Sequence, residues 1–134
     1  MIQHKHLIVR GNIERPPLKE DKFSIQMWTK KFITSNGMRL ASEPVVEYIE
    51  DSGNRGLTCC CLLTTSHVAF HIWDEPIPAL MQFDFYTCGK LDRQLVLKLL
   101  NIKFVLTKYE FIELDRGEKL SWSYNKSYIE PNEI

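Results

Sequence analysis

The sequence predicts an α+β fold, a two-layer sandwich in which an antiparallel sheet carries two helices on one face. Three observations lead to it. Short β-branched and aromatic runs follow one another through loops too brief for parallel crossovers. Two stretches instead space their apolar residues by three, four and seven, the helical period. A chain of 134 residues that is 44% hydrophobic supplies one packed core rather than two lobes or a disordered chain.

Taken in order, His6–Arg10 is a β-branched run that Gly11 should end, and the following loop with Pro16 and Pro17 cannot continue a central strand. From Glu20 to Ser35, Phe23 and Met27 form one apolar stripe, with Ile25, Trp28 and Phe32 one face over, and Asn36-Gly37 supplies a left-handed stop. Val45–Ile49, the turn formers Asp51 to Asn54, and Leu57–Leu63 read as a hairpin. Ser66–Trp73, the turn Asp74–Pro78 and Ala79–Thr87 add two strands. Asp92 is placed to cap a helix over Arg93–Leu100, with Leu91, Leu95 and Leu99 on one stripe, and Ile102–Leu114 reads as the last strand. The expected order is β, α, four strands, α, β, in a single domain over residues 1–134. From Asp115 onward the chain is a polar tail with isolated Trp122, Tyr124 and Tyr128, compatible with loose order or with a clamp on a partner.

Lys plus Arg and Asp plus Glu both number 17, so the chain lacks the positive field that nucleic-acid binding needs. Neither an apolar run long enough to span a bilayer nor a signal-peptide core is present, so no membrane association and a cytoplasmic location are expected. The cysteines, Cys59, Cys60, Cys61 and Cys88, are no disulfide framework. In the strand from Leu57 to Leu63 both parities are apolar, so the face away from the helices should pack on something, most simply a second copy. A homodimer joined through its sheets is the expectation.

Few residues offer chemistry by spacing alone. His67 and His71 are four apart, a zinc-ligand spacing on a helix, but in a strand their Cα atoms stand ~13 Å apart, and no metal site is expected. The three consecutive cysteines alternate between faces and read as small buried hydrophobes. Cys88 differs, lying at a strand end beside Gly89 and before the cap of the second helix.

The stretch Thr64 to Gly89, TTSHVAFHIWDEPIPALMQFDFYTCG, resembles the bacterial and archaeal S-adenosylmethionine decarboxylases. It has a serine followed at once by histidine, a second histidine five residues after the serine, a Trp-Pro-Glu-like turn and an Asp-x-(Phe/Tyr)-Thr-Cys-Gly strand end. HLIVRG, GLT and YEFIELDRG extend the likeness weakly over most of the chain. The resemblance implies that Ser66 attacks the Thr65 carbonyl in an N-to-O acyl shift and that elimination then splits the chain between Thr65 and Ser66. Residue 66 would become a pyruvoyl cofactor, a carbonyl that takes up the substrate amine and accepts the electron pair left by CO₂. The same resemblance makes Cys88 the proton donor to the substrate α-carbon, His71 the histidine that assists processing, Thr58 its hydroxyl partner in place of a serine, and Glu75 the acceptor of ribose hydroxyls.

Two departures stand out. Thr65 replaces a glutamate, and the interval from His71 to Cys88 is two residues longer than the pattern, with Trp-Asp-Glu-Pro in place of Trp-Pro-Glu. Ser66 and His71 also have opposite parity on an unbroken strand, so either the chain bends at Ser66 or cleavage itself frees that end. The implied activity is decarboxylation of S-adenosylmethionine for spermidine synthesis. The altered turn leaves open a basic amino acid, ornithine or arginine, as substrate, and an uncut chain would be a non-catalytic binding or regulatory subunit.

Overall fold

In the computed structural model, residues 3–129 are described, with side chains as far as Trp122. β1 (Lys5–Ile13), α1 (Lys22–Ser35), β2 (Val45–Ile49), β3 (Gly56–Leu62), β4 (His67–Trp73), β5 (Ala79–Thr87), α2 (Arg93–Phe104), β6 (Leu106–Asp115) and β7 (Ser121–Ile129) follow in that order. The strands form one seven-stranded sheet of order β2-β3-β4-β5-β1-β6-β7. Every neighbouring pair is antiparallel.

Alternation along the strands sorts side chains cleanly onto two faces. Leu7 and Val9, Cys59 and Cys61, Val68 and Phe70, and Phe83 and Phe85 are buried beneath the helices. Phe32 of α1 meets Phe83 and Phe85 with ring centroids 5.7 and 5.8 Å away, and Trp28 bridges Phe70 to Phe104 of α2. Each such aromatic contributes about 1.5–3 kcal/mol by leaving water. The other sheet face is open, and it carries His6, Thr58, His67, His71, Asp84 and Tyr86.

Several elements differ from their sequence readings, each for a local reason. Gly11 does not end β1; the strand passes through it because β6 comes so close that a Cβ there would lie 2.9 Å from Leu106 Cδ2 and 3.1 Å from Tyr109 Cβ. In α1 the buried stripe is Ile25, Thr29, Phe32 and Ile33, while Phe23 and Met27 are exposed. In α2 the stripe is shifted by one residue to Val96, Leu97, Leu100 and Phe104. Asp92 caps that helix as expected, accepting from the Leu95 N–H at 3.2 Å. The helix runs on to Phe104 and stops where Val105 turns left-handed at φ 59°, so β6 begins at Leu106 rather than Ile102. The polar tail adds an edge strand, β7, beside β6; residues 130–134 of that tail lie outside the described residues.

Candidate active site

The chain does bend at Ser66. β3 ends at Leu62, β4 starts at His67, and the Leu63 N–H donates to the Ser66 carbonyl at 3.0 Å across the turn. His67 pairs with Tyr86, and carrying that register two residues further sets Thr65 opposite Cys88. The Thr65 hydroxyl and the Cys88 thiol are hydrogen-bonded there. The corner behind Cys88 is fixed from the helix side. The buried Thr87 hydroxyl accepts from the Gly89 N–H at 2.9 Å and donates to Met38 Sδ at 3.4 Å. A Cβ on Gly89 would lie 2.8 Å from Met38 Cε, so that corner admits no side chain without displacing the methionine. By contrast burial pushes the Cys59 and Cys61 thiols up to about 11, leaving them unreactive.

Thr58 and His71 are direct partners across β3 and β4, with Thr58 Oγ1 and His71 Nδ1 3.1 Å apart. The pair that the resemblance couples is therefore formed, on the open face. It is not brought to Ser66: five residues of strand separate His71 from Ser66, or ~16 Å. Glu75 is farther still, beyond the end of β4. One of its oxygens accepts the N–H groups of Gly53 at 2.9 Å and Arg55 at 3.1 Å, tying this turn to the β2–β3 turn. Asp74, the residue that distinguishes this turn, accepts from the Tyr48 hydroxyl and from Arg55 Nε. Burial pushes its carboxyl up, and the bonds from Tyr48 and Arg55 outweigh that and hold it below the usual range. The remodelled turn thus has a physical basis: Asp74 and Glu75 lock it to Tyr48 and to the β2–β3 turn.

Sequence reasoning missed the polar group at the centre of the open face. His6 on β1 and His67 on β4 both face Tyr86 on β5, and each places Nε2 3.0 Å from the same Asp84 oxygen. Arg116 Nη1 lies 3.1 Å from His6 Nδ1, with its guanidinium carbon 4.1 Å from the centre of the Tyr86 ring, and His4 Nδ1 is 3.1 Å from the Tyr86 hydroxyl. Burial pushes the Asp84 carboxyl up, but the hydrogen bonds and charge of His6 and His67 prevail and keep it below its ordinary value. Two imidazoles and a carboxylate within 4.8 Å are also a ligand set of metal type. A guanidinium can only donate, however, so Arg116 makes His6 Nδ1 the acceptor and puts the proton on Nε2, the atom a metal would need bare. The trio is a hydrogen-bonded network. The signal for it lay in parity, since His6, Asp84 and Tyr86 occupy the positions that alternate with the buried apolar residues of β1 and β5.

The chain matches the family model described as S-adenosylmethionine decarboxylase over residues 5–117. Among solved structures it is similar to the Trypanosoma brucei AdoMetDC-delta26 monomer, with a TM-score of 0.54 at 10% identity, covering 84% of this chain and 46% of that one. At that identity the likeness is one of fold, and this chain spans less than half the length of its neighbour. No curated protein matches. Among the described residues no helix is long and apolar enough to cross a membrane. Taken with the Ser66 turn, the Thr58–His71 pair and the Cys88 corner, the match over residues 5–117 places this chain in the S-adenosylmethionine decarboxylase family.

Proposed function

We propose that the chain is a self-cleaving, pyruvoyl-dependent S-adenosylmethionine decarboxylase of the bacterial and archaeal kind, working as a cytoplasmic homodimer. The observation that carries this reading is the placement of the Thr65–Ser66 bond in the turn before β4, with Thr65 hydrogen-bonded to Cys88. The turn fits the cofactor. Residue 66 directly precedes β4, which β3 and β5 hold on both sides, and its carbonyl keeps the Leu63 N–H, so a group made from Ser66 stays tied to the end of β3 after the bond to Thr65 breaks. When present, the keto carbonyl made from the Ser66 Cα would supply the electron sink that protein side chains lack. Cys88 then holds the proton to be returned to the substrate α-carbon.

His71 and Thr58 cannot reach Ser66 within one chain, and this favours two copies. Stacking the open faces about a twofold axis with strands running in opposite senses brings the Thr58–His71 pair and the Glu75 turn of one copy toward the Ser66 end of the other. The neighbour's extra length is consistent with a site built from two such halves. Glu75 retains one carboxylate oxygen outside its turn bonds for a ribose hydroxyl.

Comparing CO₂ release from S-adenosylmethionine, ornithine and arginine tests the substrate. Turnover of S-adenosylmethionine alone is expected; turnover of ornithine or arginine alone would replace the substrate while keeping the mechanism. No release from any of the three would favour a binding or regulatory subunit.

A further inference from the structure

We infer that His67, held by the Asp84 carboxylate, is a positioning residue that anchors the chain start created by cleavage and keeps residue 66 in line with Cys88. The inference rests on the cleavage reading above. Once the bond to Thr65 is cut, residue 66 loses its covalent tie to β3 and becomes a strand terminus, the part of a sheet most prone to fray. Two fixed points remain. One is the Ser66 carbonyl on the Leu63 N–H; the other is His67, the first residue of the β4 ladder.

The His67 side chain does not float on the surface. Its Nε2 is 3.0 Å from Asp84 Oδ1, and Asp84 belongs to β5, the strand that ends at Thr87, one residue before Cys88. Asp84 is immobilised in turn by His6 from β1, and His6 by Arg116 beyond β6. Tyr86, between the two histidines, has ring centroids 5.6 Å from His6 and 5.8 Å from His67, and lies two residues before Cys88 on the same face. A relay of hydrogen bonds therefore fixes the first residue of β4 to the strand that carries the acid, from a point adjacent to the reacting residue. His67 touches no reacting atom in this role; it acts through the placement of residue 66.

The test uses the full-length chain, wild type beside His67→Ala, His67→Gln and Asp84→Ala. Three readouts are taken: fragment masses, hydrogen exchange of the peptide that begins at residue 66, and steady-state decarboxylation of S-adenosylmethionine. Glutamine presents an amide N–H near the position of Nε2 and keeps the bond to Asp84; alanine does not. The variants are expected to be cut. His67→Ala should then exchange faster at the start of β4 and lose about ten- to a hundredfold in kcat, the size of a lost hydrogen bond to a charged group, with KM nearly unchanged. His67→Gln should recover most of both, and Asp84→Ala should resemble His67→Ala. A cut His67→Ala with wild-type exchange and kcat would overturn the inference alone, as would a folded His67→Gln no better than the alanine variant. A wild-type chain that is never cut would sink the cleavage reading and this inference together.

Discussion

In the proposed self-cleavage the Ser66 hydroxyl is the group that attacks the Thr65 carbonyl. Ser66→Ala is therefore expected to give a folded, uncut chain of 15.8 kDa, read by intact mass and circular dichroism. Cys88→Ala should separate the two stages. It should still be cut, because cleavage uses the Ser66 hydroxyl, but its decarboxylation rate should fall by about 10²–10⁴, the contribution of a positioned acid. These assignments could be made from sequence because Ser66, His71 and Cys88 lie within one recognisable stretch. Thr58 lies outside that stretch and was paired with His71 through the resemblance alone; the cross-strand register places the two side by side. His6 and Asp84 were not legible, because they are 78 residues apart and meet only through the pairing of β1 with β5. Glu75 was read only as a ligand contact; its turn bonds to Gly53 and Arg55 depend on a neighbouring hairpin that no local pattern reveals.

Elements obeyed local chemistry where local chemistry was strong. The β2–β3 hairpin and the Asp92 cap fell where turn and capping residues put them. They departed where tertiary packing decided: β1 continues through Gly11 because β6 needs the space, and the α1 stripe turned so that Phe32 and Ile33 face the sheet. β7 was hidden because an edge strand of polar and aromatic sequence looks like a tail. Two backbone positions yield predictions at this scale. Val105 holds a left-handed conformation that a β-branched residue resists, so Val105→Gly should stabilise the protein by about 1 kcal/mol in urea denaturation. Gly56 has φ 149°, and a Cβ there would lie 1.7 Å from the Ile72 carbonyl oxygen. Gly56→Ala should cost several kcal/mol, and a variant within about 1 kcal/mol of wild type would contradict the packing of β3 on β4.

Across the whole molecule, the open sheet face combines the polar network with exposed Ile8 and Leu62. Such a face is suited to burial against a second copy, and in the proposed dimer that burial would bring His71 of one copy toward Ser66 of the other. Leu62→Lys should shift the chain toward monomer in analytical ultracentrifugation and slow its cleavage; a dimeric variant cut at the wild-type rate would contradict this. Acid stability depends on the same face. Asp84 and Asp74 are held below their unfolded carboxyl values, so their stabilisation is fully present above about pH 4 and is lost as pH falls through the folded values beneath it. Asp84→Asn should accordingly flatten the acid limb of the stability profile.

The most direct measurement is the intact mass of freshly purified, denatured protein, before and after incubation and after reaction with a carbonyl-trapping hydrazine. Two fragments parting between Thr65 and Ser66, with only the fragment beginning at residue 66 taking up hydrazine, are the result this account predicts. A single chain of 15.8 kDa that persists through incubation and takes up no hydrazine would contradict it.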